Sequence, residues 1–176
     1  NHLDQLAEEC DGAFVHSSTD SHDEVVSTLM RKGLDVYVDK PLAATVEESE
    51  QLVEQSVKSG RKLMVGFNRR FAPLYVKAKA MAGTPAWVRF DKHRLDDIGP
   101  ASFEFTMLDD YLHLVDTIRW LNDDGNMTVG GGAMAINESN ELIHARHTFQ
   151  SSLGTQYSTG MHRRVGTQRE TLEIIR

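Results

Sequence analysis

Short apolar runs alternate with helix-like segments over the first 67 residues of the chain. The runs are Ala13 to Val15, Val36 to Val38 and Leu63 to Phe67. Each is too short for a helix but long enough for a buried strand. The segments between them carry apolar residues at helical spacing, and Gly33 and Gly60 stand where such helices end. Strands that alternate with helices pair in parallel through right-handed crossovers. The pattern predicts an α/β fold that begins with a βαβαβ unit, half of a doubly wound parallel sheet.

Two residue pairs mark the predicted helix starts. Ser21 with Glu24, and Thr45 with Glu48, have the spacing of a capping box, in which each side chain of the pair accepts a backbone N–H of the other residue. We therefore expect one helix to begin at Ser21 and another at Thr45.

Beyond residue 67 the pattern changes and predicts a second domain, of the α+β type, over residues 68–176. A helix over 74–81 and a strand over 86–93 come first. From Met127 onward, polar and apolar residues alternate with a period of two, with turns at 137–140 and 151–154 and a further strand over 171–175. This alternation predicts a largely antiparallel sheet. We expect its strands to carry apolar residues on both faces.

The segment 108–121 predicts an amphipathic helix. Its apolar side has Leu108, Leu112, Val115 and Ile118. A separate stripe has Asp109, His113, Asp116 and Trp120. Asp109 and His113 are about one helical turn apart, so their side chains are close enough to interact. A local carboxylate–histidine pair on a helix flank is the plainer interpretation of that spacing, and a catalytic pair is the functional one.

The composition excludes several classes of function. The chain has 19 basic and 26 acidic residues, a net charge of −7, and no basic run, which argues against nucleic acid or an anionic membrane as partner. No segment approaches the ~20 apolar residues of a membrane span. Cys10 is the single cysteine, so no internal disulfide forms, and this fits a cytoplasmic protein.

Two further motifs do not indicate binding sites. His144 and His147 are three residues apart on a predicted strand, so their side chains point to opposite faces and cannot share a metal ion. The glycines 130–132 with Ala135 loosely match a dinucleotide fingerprint, but a turn follows where that fingerprint requires a helix. We interpret this segment as a glycine-rich strand.

Lys40 is the strongest candidate for chemistry. It follows the apolar run 36–38 directly, and Pro41 fixes the turn after it. Parallel sheets bind their ligands at the carboxyl ends of the strands. The loops that follow the three strands, residues 17–22, 39–41 and 68–70, are expected to meet at that edge.

Four motifs in this order resemble the Gfo/Idh/MocA group of NAD(P)-dependent oxidoreductases, and most of all its MviM-type branch. Residues 39–43, Asp-Lys-Pro-Leu-Ala, are similar to the Glu-Lys-Pro signature of the family, with aspartate in place of glutamate. Residues 19–22 resemble its Thr-x-x-His loop, and residues 68–73 resemble the segment that leads into its second domain. Asp109 and His113 match the spacing of its catalytic Asp and His.

The resemblance implies a dehydrogenase that transfers hydride between NAD or NADP and a hydroxyl of a sugar or polyol-like substrate. It implies a Rossmann-type fold for residues 1–67 and a substrate and oligomerisation domain for residues 68–176. Lys40 and His113 would be the acid/base groups, with Asp109 orienting His113. The expected cofactor-binding residues are Ser17, Ser18, Thr19, His22, Asp39, Lys40, Pro41 and Arg69; Arg70 is an alternative to Arg69. No metal is expected, and we expect a homo-oligomer formed through the second-domain sheet.

The sequence also departs from the family pattern. The glycine-rich loop that holds the cofactor pyrophosphate in such folds is absent. We therefore expect an incomplete Rossmann-type sheet, a fragment that also lacks its C-terminal end, and no activity from these residues alone. Two alternatives stay open at this point: a dehydrogenase-like cofactor-binding or regulatory protein without turnover, and a metal-dependent sugar isomerase or lyase with Asp109, His113 and Asp116 as ligands.

Overall fold

The computed structural model describes residues 2–99, 101–123 and 125–176. The chain divides into two compact units, Asn1–Phe67 and Asn68–Arg176. In the described ranges, no helix has both the length and the apolar content that crossing a membrane requires.

The first unit is a two-layer βαβαβ arrangement preceded by a short helix. Its strands are β1 (Gly12–Val15), β2 (Asp35–Val38) and β3 (Leu63–Val65), which pair in parallel in that order. Its helices are α1 (His2–Glu9), α2 (His22–Arg31) and α3 (Val46–Ser59). The predicted alternation of strands and helices, and the parallel sheet, are confirmed.

One face of this sheet forms the core of the first unit. Alternate residues of β1 and β2 point to the helices, and they pack on the apolar sides of α2 and α3. The buried residues are Ala13, Val15, Val26, Leu29, Met30, Leu34, Val36, Val38, Ala43 and Leu52. On the opposite face Phe14 and Met64 are exposed, and the Phe14 ring lies 5.1 Å from the ring of Tyr37.

Only one of the two predicted capping boxes is present. Thr45 Oγ1 accepts the N–H of Glu48 at 3.2 Å, and the Glu48 carboxylate accepts the N–H of Thr45 at 3.1 Å. The box at Ser21 is wrong. A 3₁₀ turn over Thr19–Ser21 precedes α2, so Ser21 has helical rather than extended backbone angles. Its hydroxyl instead donates to the carbonyl oxygen of Ser18 at 2.8 Å.

In its described ranges, the second unit contains three α-helices and a five-stranded sheet. After a 3₁₀ turn over Asn68–Phe71, the chain forms α4 (Pro73–Ala82), β4 (Trp87–Leu95), α5 (Phe103–Thr106), a π-helical turn (Met107–Tyr111) and α6 (Leu112–Leu121). The strands β5 (Met127–Ile136), β6 (Leu142–Ser151), β7 (Gln156–Val165) and β8 (Arg169–Ile175) follow. The sheet order is β5-β6-β7-β4-β8, with only the β4–β7 pair parallel. The prediction of a largely antiparallel sheet is confirmed.

The core of this unit lies between one face of the sheet and the helical run 103–121. The predicted apolar side of that run is partly wrong. Tyr111, Leu114, Ile118 and Leu121 enter the core, whereas Leu108 and Leu112 do not. One cause is the π turn, which breaks the regular helical spacing at Leu108. The other is Tyr111, whose buried hydroxyl lies 2.6 Å from Thr159 Oγ1, so a residue with a polar tip fills a core position.

The opposite face of the second sheet is polar along its central strands. The side chains there include Arg89, Asp91 and His93 of β4, His144, Arg146 and Thr148 of β6, and Ser158 and His162 of β7. His144 and His147 point to opposite faces, as expected. The expectation of apolar residues on both faces is wrong for these strands.

Candidate functional site

The candidate site residues of the first unit lie at the carboxyl edge of the three-stranded sheet. Because β1 and β2 are parallel, the loops that follow them leave the sheet at the same edge. His22 joins these loops. Its imidazole is buried, with Nδ1 2.8 Å from the carbonyl oxygen of Pro41 and Nε2 3.1 Å from that of Ser17. We predicted that His22 binds cofactor. Each of its ring nitrogens lies within hydrogen-bond distance of a backbone carbonyl oxygen, so the side chain positions the two loops.

Lys40 lies on the second of these loops. The N–H of Asp39 donates to Val15 at 3.0 Å, which extends the ladder between the strands by one bond. The Asp39 carboxylate in turn accepts the N–H of Lys40 at 2.8 Å. This bond gives the aspartate a local role in shaping the turn. Pro41 is buried, so the backbone on both sides of the Lys40 side chain has fixed contacts. The Lys40–Pro41 peptide bond is cis.

The hydroxyl-bearing residues of the first loop differ in how far they are exposed to solvent. Ser17 and Ser18 are exposed, and Thr19 is half-buried. The Ser17 and Ser21 hydroxyl oxygens lie 2.8 Å apart, so these two groups share a hydrogen bond. Hydroxyl groups and a half-buried lysine at the same edge of a sheet suit the ribose hydroxyls and carboxamide of a nicotinamide nucleoside. The residues of this edge therefore fit the nicotinamide end of a dinucleotide, whereas the sequence offers no glycine-rich loop for the pyrophosphate.

The candidate site residues of the second unit lie on its helical run, residues 103–121. His113 is buried in the first turn of α6, and Asp109 is half-buried in the π turn before it. The His113 carbonyl accepts the hydroxyl of Thr117 at 2.7 Å. Single π turns recur at functional sites because they shift side chains out of the regular helical register. The pairing of Asp109 with His113 stays a prediction.

Asp116, the second acidic residue of the predicted stripe, binds Arg70. The Arg70 guanidinium donates from Nε at 2.9 Å and from a second nitrogen to the buried Asp116 carboxylate. This hydrogen bonding raises the pKa of Arg70. Asp116 is thus used by an ion pair. In the three described ranges, no group of three or more His, Cys, Asp or Glu residues is placed to hold a metal ion.

Arg69 also makes a bidentate ion pair, with Glu170 of β8. Its nitrogens lie 2.7 and 2.6 Å from the two Glu170 oxygens, and the Tyr75 hydroxyl donates to the same carboxylate at 2.6 Å. Burial alone would raise the pKa of Glu170, but the bonds from Arg69 and Tyr75 outweigh it and lower the pKa to about 2. Burial raises the pKa of Tyr75 to about 12. That Arg69 binds the cofactor stays a prediction. The guanidinium would then have to bind the cofactor and Glu170 at the same time.

Sequence reasoning missed a cluster of charges around Asp110. Lys92 and Arg94 of β4 and Arg163 of β7 all donate to this carboxylate. Burial alone would raise the pKa of Asp110, but the hydrogen bonds from Arg94 and Lys92 outweigh it and hold the pKa well below its usual value. Burial lowers the pKa of Lys92, against the effect of Asp110. One signal was available: Lys92 shares the alternation of Val88 and Phe90, so a charge stands at an inward position.

Two family models match this chain. Residues 1–67 match the model described as an oxidoreductase family with an NAD-binding Rossmann fold, Gfo/Idh/MocA. Residues 73–176 match the model of the YceM-like C-terminal domain.

Individual proteins agree with these models. The YceM protein of Salmonella typhimurium is 49% identical over 173 residues, which are 98% of this chain and 56% of that protein. Inositol 2-dehydrogenase of Paracoccus denitrificans is 34% identical over 122 residues, which are 66% of this chain and 36% of that protein. The crystal structure of a dehydrogenase (MviM) from Clostridium difficile has a TM-score of 0.90 at 38% identity, covering 99% of this chain and 57% of that one. The chain thus spans about half the length of these relatives, or less.

Proposed function

Because the chain belongs to the Gfo/Idh/MocA family of oxidoreductases, we propose that the protein transfers hydride between NAD or NADP and a hydroxyl-bearing carbon of a sugar or polyol-like substrate. The observation that carries this proposal is that hydrogen bonds fix the backbone of the loop that bears Lys40. The strand end that bears it is fixed by Asp39 and by the buried His22, at the edge where parallel sheets bind nucleotides.

Lys40 and His113 are the acid/base groups of this proposal. When bound, the nicotinamide accepts the hydride in one direction and donates it in the other. In oxidation of an alcohol, a side chain must accept the hydroxyl proton as the hydride leaves. A neutral lysine amine or imidazole can do this, and in the reverse direction the protonated group returns the proton. Asp109 is one helical turn from His113 in sequence and would stabilise its protonated form.

The cofactor residues divide into two groups by what their side chains do. Ser17, Ser18, Thr19 and Lys40 carry the groups proposed to contact the nicotinamide ribose and carboxamide. His22, Asp39 and Pro41 hold the loops that carry those groups. Supporting this division, the two His22 nitrogens and one Asp39 oxygen already have backbone partners.

We also propose that the protein acts in the cytoplasm as a homo-oligomer formed through the polar face of the second sheet. The lone, exposed Cys10 suits a reducing compartment. Exposed Trp87 and Ile175 stand beside the polar residues of that face, and a mixture of aromatic and polar groups is typical of subunit interfaces.

Absorbance of reduced nicotinamide tests the catalytic proposal directly. The full-length protein would be incubated with NAD and with NADP, each against a panel of sugars and polyols. Turnover with at least one pair is expected, and it should disappear in a Lys40→Ala, His113→Ala double variant. Cofactor binding without turnover of any panel member would contradict the proposal and favour the regulatory alternative. Stoichiometric bound metal in the active protein would favour the isomerase or lyase alternative.

A further inference from the structure

The charged cluster of the second unit contains more positive than negative charge. Four cations take part: Lys92, Arg94, Arg163 and Arg69. Three carboxylates receive their hydrogen bonds: Asp110, Glu170 and Asp97. The last of these is 54% exposed, so water screens it, while the Lys92 and Arg163 side chains are each only 8% exposed.

Asp110 therefore accepts hydrogen bonds from three cations, one of which, Arg163, also pairs with Asp97. The Asp110 carboxylate accepts a hydrogen bond from Lys92, two from Arg94 nitrogens at 3.1 and 3.2 Å, and one from Arg163 at 2.9 Å. Buried charge is costly unless it is balanced. For structure alone, two cations would balance Asp110 and Asp97, and an apolar residue in place of the third would cost nothing in charge. Among the described residues, the cluster thus carries one positive charge more than its carboxylates balance, and this surplus suits a further anion.

Arg94 is the member of the cluster that a ligand can reach. Its side chain is 27% exposed, against 8% for Lys92 and 11% for Asp110. Two of its guanidinium nitrogens bind Asp110, and the guanidinium group offers five N–H donors in all. Arginine at such a position suits the planar, bidentate recognition of a carboxylate or a phosphate.

The cluster also adjoins the candidate catalytic residues in the fold. Asp110 follows Asp109 directly in the π turn, and α6 with His113 continues the same helical run. Lys92 and Arg94 lie on β4, which α6 packs against, as its neighbours Val88 and Phe90 share a core with Leu114 and Ile118.

We propose that Arg94, backed by Lys92 and Arg163, binds an anionic group of the substrate, either a carboxylate or a phosphate. This inference rests on the proposed function, because it assigns a charged substrate class to the same site. The substrate of the hydride transfer is then a sugar acid or a sugar phosphate, and neutral polyols are poor substitutes.

Matched substrates test the inference in the full-length protein. Each neutral sugar of a panel is compared with its uronic acid and its 6-phosphate, for example glucose, glucuronate and glucose 6-phosphate. One charge-assisted hydrogen bond is worth about 10- to 100-fold in binding. We expect kcat/KM for the preferred anionic member to exceed that of its neutral partner by at least this factor. Whichever anionic substrate, the uronic acid or the 6-phosphate, has the higher kcat/KM identifies the anion that the site binds.

Variants of Arg94 assign the preference to the cluster. Arg94→Gln should reduce the ratio of kcat/KM for the anionic substrate to kcat/KM for the neutral one by about 10- to 100-fold. Arg94→Lys, which keeps a positive charge, should give a ratio between those of Arg94→Gln and the wild-type enzyme. Arg164→Gln is the control, because Arg164 is the exposed neighbour of Arg163 and pairs with Asp96; it should leave the ratio unchanged. A wild-type enzyme that prefers neutral sugars, or an Arg94→Gln enzyme that keeps the anionic preference, overturns the inference. If Arg94→Gln does not fold, the wild-type preference and the Arg94→Lys ratio decide the question.

Calorimetry separates this inference from the proposed function. If no panel member is turned over, the proposed function fails, and binding of glucuronate and glucose 6-phosphate is measured directly. Binding of either that is at least 10-fold tighter than binding of glucose, and that weakens in Arg94→Gln, would still support the anion site. Equal binding of charged and neutral sugars would overturn it.

Discussion

The buried His22 imidazole lies 2.8 Å from the carbonyl oxygen of Pro41, so the first residue of α2 holds the loop that follows β2. Replacing it with alanine removes the imidazole N–H from a buried place where the carbonyl oxygens of Pro41 and Ser17 both lie within hydrogen-bond distance. We expect His22→Ala to lower the free energy of unfolding by about 1–3 kcal/mol, measured by urea denaturation. His16→Ala, at an exposed histidine, should change it by less than about 0.5 kcal/mol. Equal effects of the two variants would contradict a positioning role for His22.

Lys40→Ala in the full-length protein should lower kcat by about 10²-fold or more, because general acid–base catalysis is typically worth ~10²–10⁴. Cofactor affinity should stay within a few fold. His113→Ala should behave in the same way. Lys62→Ala, at an exposed lysine before β3, serves as the control and should keep its turnover. Unchanged kcat in both test variants would leave Lys40 and His113 as structural residues.

Stability at acid pH should depend on Glu170. Its pKa is about 2 in the folded chain against an ordinary value of 4.5. A carboxylate with a depressed pKa contributes stability that is fully present above its unfolded pKa and is lost as the pH falls through the folded value. Glu170→Gln should therefore flatten the decline of Tm between about pH 4.5 and pH 2, measured by scanning calorimetry. Glu173→Gln, an exposed residue on the same strand, should leave the slope as it is. A wild-type slope in Glu170→Gln would mean that the pair with Arg69 does not survive in solution.

The 176 residues on their own should bind NAD and NADP weakly and turn over no substrate. A dinucleotide is held largely through its pyrophosphate by the amides of a glycine-rich loop, and no such loop occurs in this sequence. Calorimetric titration with both cofactors measures this. Micromolar or tighter binding would show that a phosphate site exists in a part of the chain that lacks the expected motif.

Light scattering of the full-length protein should give a mass larger than that of one chain. Trp87 is half-exposed on the polar face of the second sheet, so Trp87→Glu should shift the mass toward that of a single chain. Leu153→Glu, at an exposed leucine in the turn between β6 and β7, should not. A monodisperse monomer at high concentration would argue against the oligomer.

Local signals were sufficient for most of the first unit. The apolar runs identified β1, β2 and β3, because a strand buried by helices needs little but apolar residues. Thr45 with Glu48 identified a helix start correctly because both partners lie within four residues. Ser21 with Glu24 has the same spacing but failed, since the preceding loop continues into a 3₁₀ turn, and the direction of that loop is set by the distant contact of His22 with Pro41.

The second unit required information that spacing does not carry. The family motifs indicated Asp109 and His113, but the π turn between them changes which residues face the core. The Asp110 cluster is built from a π turn and two strands, with Arg163 53 residues from Asp110. The sequence shows that a charged residue, Lys92, stands at an inward position of β4. Only the fold shows that Asp110 is the carboxylate that pairs with it.

The position of β4 in its sheet has a consequence for how the protein is made. Trp87 pairs with Gln156 on one side and with Ile175 on the other, so both neighbours of β4 leave the ribosome long after it does. The first unit, by contrast, pairs each strand with the next one in the chain. Domains generally fold as units during synthesis, and contacts between distant residues form slowly. Residues 1–67 can thus begin to fold while β4 still has bare edges, and in that interval Trp87, Val88 and Phe90 are open to association with other nascent chains.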